Sequence, residues 1–222
     1  MIIEVCIESI DGLKAANQFN LDRIEICSDL KNDGLTPEII FQKNAEKYFS
    51  NDRFIMIRPH FKSFQYSNYD VKLMKESILL ASKFNPKGVV FGALNEANEI
   101  DIKANEQLIN CAKSLNLKCT FHRAFDICSD PIKSFNRIKS MGFDWILTSG
   151  QQNTAEKGIP ILKKLVKLKG DKIKILAGGG ISVKNCKKFK SIGLDGIHFS
   201  IDKNQKIEEE KIKQIKYQLS ID

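Results

Sequence analysis

The stretch MIIEVCIESIDGLKAANQFNLDRIEIC, residues 1–27, contains one complete strand–helix–strand unit. Two short runs rich in Ile and Val, at 2–8 and 23–27, flank a segment in which apolar residues recur every three or four positions. Such alternation is typical of parallel strands that are joined by crossover helices. If the pattern continues along the chain, the fold class is α/β.

The pattern continues to the end of the chain. Further strand segments are predicted at 53–58, 88–94, 118–123, 145–149, 173–178 and 196–200, which brings the total to eight. Helical periodicity separates them, and EEEKIKQIKYQLS at 208–220 adds a C-terminal helical segment. Eight such units predict a closed TIM-type (β/α)8 barrel. An open doubly wound sheet is the alternative, although no G-x-G-x-x-G motif follows the first strand.

Length and charge limit the functional classes. The 222 residues suffice for one barrel and nothing divides the chain, so we expect a single domain over 1–222. Thirty-five Lys and Arg against 27 Asp and Glu give a net charge of +8. The lysines are spread along helix faces, as in LKKLVKLKG, whereas a nucleic-acid site would also need exposed aromatic residues beside them. We expect no nucleic-acid partner.

Cysteine spacing and hydropathy indicate the compartment. The six cysteines form no C-x-x-C pair and no zinc-finger spacing, so no disulfide framework is indicated. The amino-terminal run MIIEVCIESI lacks a basic region and carries Glu4 and Glu8, unlike a signal peptide. No window approaches the roughly 18 apolar residues of a membrane span. We expect a cytoplasmic protein with no membrane partner.

Strand phase predicts a polar barrel interior. Successive side chains of a strand face opposite sides, and the apolar set at 3, 5 and 7 suits the helix layer, so Glu4 and Cys6 face inward. The same argument directs Arg23, Glu25 and Cys27 of the second strand inward. It also directs Arg58 of the third strand inward. A lone buried charge is costly, so we expect the two glutamates to pair with Arg58.

The stretch TFHRAFD, residues 120–126, extends the polar set. His122 faces inward at the carboxyl end of the fifth strand, and Arg123 and Asp126 follow it. Barrel enzymes build their active sites at this end. The hypothetical catalytic residues are Glu4, Glu25, Arg58, His122, Arg123 and Asp126. The alternative is structural, because buried Glu–Arg pairs and interior histidines also occur in cores.

AGGGIS, residues 177–182, suggests an anion site. Glycines after the seventh strand, leading into a helix expected near Ser182, can offer backbone N–H groups and a helix N-terminus to a phosphate. The candidate anion-binding residues are Gly178, Gly179, Gly180 and Ser200. A tight turn that requires positive φ explains the same glycines.

Eight blocks together resemble a known family. They are EVCIES, DRIEICSDL, GLTPE, MIRP, GVVFGAL, TFHRAFD, ILTSG and AGGGI, and they span about residues 2–200. Their order and spacing resemble the CutC copper-homeostasis family. The resemblance implies a cytoplasmic TIM-type barrel, often a homodimer in bacterial members, that is linked to copper tolerance and copper binding. The departures, at Asp33, His60 and Asp70, do not touch the inward set.

The resemblance also suggests metal ligands. Cu(I) prefers thiolate and thioether sulfur, and Cys6 and Cys27, phased inward on adjacent strands, match cysteines of the family blocks. They are the candidate Cu(I) ligands, although free cysteines also pack as small apolar residues. Two functions remain open: a copper-binding homeostasis protein, or an enzyme acting on a small carboxylate- or phosphate-bearing molecule that Arg58 or Arg123 would hold.

Overall fold

The structure is a computed structural model that describes residues 1–203 and 206–220. Its strands are β1 (Ile2–Ile7), β2 (Arg23–Ile26), β3 (Asp52–Met56), β4 (Gly88–Phe91), β5 (Lys118–Phe121), β6 (Trp145–Thr148), β7 (Lys174–Gly178), β8 (Gly196–Ser200), and a short hairpin of β9 (Asp202–Lys203) and β10 (Lys206–Ile207). Its α-helices are α1 (Ile10–Gln18), α2 (Ile39–Tyr48), α3 (Asn68–Ala81), α4 (Ile102–Ser114), α5 (Pro131–Ser140), α6 (Ile159–Lys169), α7 (Cys186–Ser191) and α8 (Glu209–Ser220).

The first eight strands form a closed barrel. They pair in chain order, all parallel, and β1 pairs with β8 to complete the ring. In this register Glu4 lies beside Arg23 on one side and beside His198 on the other. The predicted TIM-type barrel, with its C-terminal helical segment, is confirmed, and the open-sheet alternative is wrong.

The two faces of the strands form separate apolar clusters. The set Ile3, Val5 and Ile7 belongs to the large core between strands and helices. A second, smaller cluster lies inside the barrel, and its buried members are Cys6, Cys27, Phe54, Met56 and Val90. Alternation of side chains across each strand explains this division, because each face packs with its own neighbours. The predicted phase of β1, β2 and β3 is therefore confirmed.

The strands end earlier than the sequence predicted, which places two site residues in loops. β3 ends at Met56 and β5 at Phe121, so Arg58 and His122 lie just beyond the carboxyl ends. A 3₁₀ helix, Arg123–Ile127, follows β5, and the side chain of His122 caps it by accepting the N–H of Ala124. The cap fixes the imidazole at the top of the barrel.

The expectation that a helix begins near Ser182 is wrong. Residues 182–185 form a turn, in which the N–H of Ser182 donates to Oδ1 of Asn185 at 2.8 Å, and the helix proper begins at Cys186. The Asn185 amide also donates to the carbonyl of Gly180 at 2.9 Å. These bonds hold the chain in a loop, so the helix begins several residues after the glycines.

At the end of the chain, α8 packs on the barrel through the fully buried Ile212 and Ile215. Among the described residues, no helix combines the length and the apolar character needed to cross a membrane.

Candidate functional site

A cavity of about 780 Å³ opens at the carboxyl end of the barrel. Its inner wall includes Cys6, Glu25 and Met56 from the first three strands, and its rim includes Arg123 and Gly179. Sites for small molecules commonly have volumes of roughly 300–1,000 Å³. The cavity is therefore large enough for a metabolite, and it reaches the barrel interior.

Beneath the cavity lies a buried charge cluster, which comprises Glu4, Arg23, Glu25 and His198. Arg23 Nε forms an ion pair with Glu4 Oε2, and Glu4 Oε1 lies 2.7 Å from His198 Nδ1. Arg23 Nη2 also donates to Thr120 Oγ1 at 2.9 Å. Glu4 is therefore engaged on both carboxylate oxygens, and the expected pairing of Glu4 with Arg58 is wrong, because Arg23 from the adjacent strand is its partner.

Arg58 has a different role. Its guanidinium donates to the carbonyls of Asn32 at 2.8 Å and Gly34 at 3.1 Å, and it stacks on the ring of Phe64 at 4.6 Å. Phe64 in turn packs against the ring of His122, with centroids 4.9 Å apart. Arg58 therefore braces the loop after β2 and the aromatic ring beneath His122, rather than neutralising a glutamate.

Mutual electrostatics set the protonation of the charge cluster. Burial raises the pKa of Glu25 to about 7, and the Glu4 carboxylate contributes. Burial acts in the same direction on Glu4, but Arg23 and His198 outweigh it and lower the Glu4 pKa. Burial would lower the pKa of His198, yet its contacts with Cys6, Glu25 and Glu4 raise it well above the usual value. Both shifts favour a His198 imidazolium paired with a Glu4 carboxylate.

The carboxylates and His198 do not fit a divalent metal. One ligand atom from each of Glu4, Glu25 and His198 lies within 4.8 Å of the others. The oxygens of Glu4, however, already meet Arg23 and His198. His198 could coordinate a metal only after losing its proton, and a divalent ion would add charge beside Arg23. Within the described chain, Glu4 Oε2 and Glu25 Oε2 are both buried without a hydrogen bond, but the Glu4 oxygen has its ion pair with Arg23.

A sulfur cluster, which comprises Cys6, Cys27 and Met56, adjoins the charge cluster. All three are buried in the interior apolar cluster. Cys27 donates its S–H to the carbonyl of Ile7 at 3.6 Å, and burial, with Cys6 and Glu25 adding to it, raises the pKa of this thiol well above its usual value. A Cβ at Gly34, where φ is +83°, would lie 3.7 Å from Cys27 Sγ and 3.5 Å from Met56 Cε. The glycine thus leaves space beside two of the sulfur side chains.

His122 lines the cavity and carries an unpaired hydrogen-bond donor. Its Nδ1 accepts the N–H of Ala124 at 3.3 Å, so the ring proton resides on Nε2. Burial, and secondarily Arg58, lowers the pKa of this histidine to about 3. The imidazole is neutral, 3% exposed, and its Nε2 has no hydrogen-bond partner in the part of the chain that the structure describes.

Asp126 orients Arg123. Its carboxylate accepts the hydroxyl of Thr148 at 2.5 Å and the N–H groups of Ser149 and Gln151 at 3.0 and 3.2 Å. It then accepts Arg123 Nε at 2.8 Å, while Arg123 Nη2 donates to Ser149 Oγ at 3.5 Å. The side chain of Asp126 is 8% exposed and that of Arg123 is 39% exposed. Asp126 is thus a buried anchor, and Arg123 is the group at the rim.

The predicted anion-binding residues, three glycines and one serine, have different surroundings. Gly179 and Gly180 line the cavity with φ of +99° and +73°, which supports the tight-turn interpretation. A Cβ at Gly178 would come within 2.7 Å of Leu147. Ser200 also lines the cavity, but its hydroxyl donates to the carbonyl of Asp202 at 3.0 Å.

Comparison with known proteins places this architecture in a family. The model of the CutC family matches residues 1–203. A CutC family protein of Glaesserella parasuis serovar 5 is 38% identical over 201 residues, which are 90% of this chain and 82% of that protein. A solved CutC protein from Streptococcus agalactiae, provisionally assigned to copper homeostasis, is 31% identical with a TM-score of 0.83, over 90% of this chain and 98% of that one.

More distant barrels share the fold alone. The 3-hexulose-6-phosphate synthase of Salmonella typhimurium gives a TM-score of 0.69 at 16% identity, over 99% of this chain and 98% of that one. The family match and the first two similarities extend over most of this chain and of each relative. The chain therefore belongs to the CutC family.

Proposed function

We propose that the chain acts in copper homeostasis by binding a Cu(I) ion at the sulfur cluster of Cys6, Cys27 and Met56. The observation that carries the proposal is the burial of two thiols and one thioether in a single apolar cluster inside the barrel, with Cys6 and Met56 also on the wall of the cavity. Cu(I) is soft and favours these ligands over carboxylates. The cavity offers the ion a route from solvent.

The surrounding charges support a thiolate site. A Cu(I) ion with two thiolates carries one net negative charge, and an uncompensated buried charge is costly. His198, with its raised pKa, and the nearby Arg23 supply positive charge. Binding must displace the proton of Cys27, because its pKa is raised. The affinity for Cu(I) should therefore increase with pH.

An anaerobic competition titration tests the proposal. The reduced protein should withdraw about one equivalent of Cu(I) from a chromogenic chelator, and the double variant Cys6→Ser/Cys27→Ser should withdraw none. Cys119→Ser is the matched control, since Cys119 is equally buried but faces the helix layer. Circular dichroism establishes that each variant is folded. Unchanged affinity in the double variant would remove these cysteines as ligands and refute the proposal.

Met56→Leu sharpens the assignment. Leucine preserves the apolar volume within the interior cluster but removes the thioether, so Cu(I) affinity should fall while the melting temperature changes little. If affinity does not change, the ion is held by the two cysteines without Met56.

The compartment and assembly follow from the same proposal. Free thiols persist in a reducing environment, so we assign the protein to the cytoplasm. The homodimer implied by the family resemblance stays a prediction, which light scattering on the purified protein checks.

A further inference from the structure

We propose that the mouth of the cavity binds a small hydroxylated oxyanion, such as a hydroxy acid or a sugar phosphate, through Arg123 and the Nε2–H of His122. This inference goes beyond copper binding, because neither side chain belongs to the sulfur cluster. It rests on three groups that line one cavity and whose hydrogen-bonding capacity the described chain does not use up: His122, Arg123 and Glu25.

His122 supplies the first observation. Buried N–H groups are almost always paired in folded proteins, yet Nε2 of this ring has no partner among the residues described. The ring cannot turn to find one without losing the bond from Ala124, and Phe64 packs against its face at 4.9 Å. The N–H is therefore fixed without an acceptor in a residue that lines the cavity, and an acceptor on a ligand would complete it.

Arg123 supplies the second observation. Its guanidinium is anchored through Nε by Asp126, and Asp126 is itself fixed by Thr148 and Ser149. A planar guanidinium that is already oriented is suited to binding carboxylate or phosphate by two parallel hydrogen bonds. At Gly179 a Cβ would lie 3.6 Å from this guanidinium, so the glycine leaves the approach open.

Glu25 is the reason for expecting a hydroxyl group on the ligand. Its Oε2 is buried and lacks a hydrogen-bond partner in the described ranges, and the residue lines the same cavity as His122 and Arg123. A carboxyl oxygen accepts a hydroxyl whether or not the other oxygen carries a proton. A ligand with an oxyanion at the rim and a hydroxyl directed inward would satisfy all three groups.

Net charge at the mouth does not explain an anion site by itself. The lining contains the cations Lys31 and Lys211 but also the acids Glu8, Asp33 and Asp202. Several of these are already engaged, since Lys211 donates to Ser200 and Glu208 and Asp202 accepts from Ser9. The unused donors of His122 and Arg123, rather than the sum of charges, select the ligand.

The test is isothermal titration of the full chain without copper, at constant ionic strength in chloride, with inorganic phosphate, glycolate and glycerol phosphate as probes. We expect saturable binding of glycolate or glycerol phosphate, and the tighter of the two identifies the oxyanion as carboxylate or phosphate. Arg123→Gln and His122→Ala should each weaken it at least about tenfold. Arg137→Gln, at an exposed arginine of α5, is the matched control and should bind like the parent.

Two results would overturn the inference. One is the absence of saturable binding by the parent up to about 10 mM of either hydroxylated probe. The other is equal binding by the parent and by folded Arg123→Gln and His122→Ala, which would place the anion elsewhere. Cys6→Ser/Cys27→Ser should still bind the probe and Arg123→Gln should still bind Cu(I), so failure of the anion site and failure of the copper site are distinguishable.

Discussion

The two ends of the barrel differ in how their buried polar groups are hydrogen-bonded. At the amino end, Asp22, Asp144 and Asp195 immediately precede β2, β6 and β8. Each accepts a backbone N–H from the start of a neighbouring strand, and the donors are Ile3, Cys119 and Ile175, each at 2.8 Å. The crevice at this end contains Arg53, whose guanidinium donates to three backbone carbonyls. Polar groups there hold the strands together.

At the carboxyl end, two buried polar atoms of residues that line the cavity lack hydrogen-bond partners among the described residues. His122 Nε2 and Glu25 Oε2 are both without a hydrogen bond to any described residue. Each unpaired group costs about 1–3 kcal/mol of stability, so a chain selected for stability alone would not retain them. In this barrel, therefore, stabilising contacts are concentrated at the amino end and binding capacity at the carboxyl end, as is general for TIM barrels. Four predictions test that division.

The largest effect is expected between the two ends, at the ion pair beneath the cavity. Arg23→Met should lower the free energy of unfolding by about 3–5 kcal/mol, because it leaves the fully buried Glu4 without its main counter-charge. Urea denaturation at pH 7 measures the loss. The double variant Glu4→Gln/Arg23→Met removes both charges and should be more stable than Arg23→Met alone. If the free energy of unfolding of Arg23→Met lies within about 1 kcal/mol of that of the parent, the ion pair does not stabilise this part of the barrel.

The next effect tests the amino end. Asp144→Ala should lower the free energy of unfolding by about 2 kcal/mol, because the N–H of Cys119 and the ammonium groups of Lys113 and Lys118 lose their acceptor. Glu106→Ala, at an exposed position of α4, is the control and should change stability by less than about 0.5 kcal/mol.

The sign of the pH dependence follows from the direction of the Asp144 pKa. Burial alone would raise it, but the bonds from Lys113 and Cys119 outweigh burial and lower it below 3.8. The stabilisation is therefore present above the unfolded pKa and is lost as pH falls through the lower, folded value. The parent and Asp144→Ala should converge in acid. A constant difference at every pH would contradict the assignment of the effect to the carboxylate.

The third prediction concerns the carboxyl end, where removing a charge should help. The folded pKa of Glu25 is about 7 against 4.5 normally. The folded state thus retains a proton that the unfolded state releases, so stability declines as pH rises between these values. Glu25→Gln should be more stable than the parent by about 1 kcal/mol at pH 8, less than the full shift implies, because glutamine loses the attraction to His198. Thermal melts at pH 5 and pH 8 measure this, and a variant less stable than the parent at pH 8 would show that Glu25 contributes net stability.

The sequence predicts which side chains face the barrel interior, but not which of them pair with each other. Strand phase directed Glu4, Glu25 and Cys6 inward, and the structure has all three buried inside the barrel. Phase also directed Arg23 inward, but it could not identify the partner of Glu4. The choice between Arg23 and Arg58 depends on where β3 ends, and strand ends are the least predictable part of such a pattern.

The sequence contains a repeated signal for the amino end of the barrel. Leu21-Asp22-Arg23-Ile24, Phe143-Asp144-Trp145-Ile146 and Leu194-Asp195-Gly196-Ile197 share one pattern, with an apolar residue, an aspartate and an isoleucine two positions later. In the structure each aspartate accepts an N–H of the preceding strand. By contrast, no local pattern reveals the unpaired Nε2 of His122, because that depends on the loop containing Phe64, far away in sequence.

The smallest effect on stability is expected at His122, and the adjacent Phe121 provides the comparison. Phe121 and His122 are adjacent and both buried, but Phe121 packs in the large core against Phe143 at 5.2 Å, whereas His122 lines the cavity. Phe121→Ala should lower the free energy of unfolding by about 3–5 kcal/mol, because it leaves a void in close-packed apolar surroundings. His122→Ala removes an unpaired donor and opens onto a cavity that water can enter, so it should cost less than about 1 kcal/mol even though the N–H of Ala124 loses its acceptor. Urea denaturation of both variants in the same buffer makes the comparison. If His122→Ala destabilises the protein as strongly as Phe121→Ala, the histidine is a core residue, and the division between a stabilising and a binding end does not hold at this position.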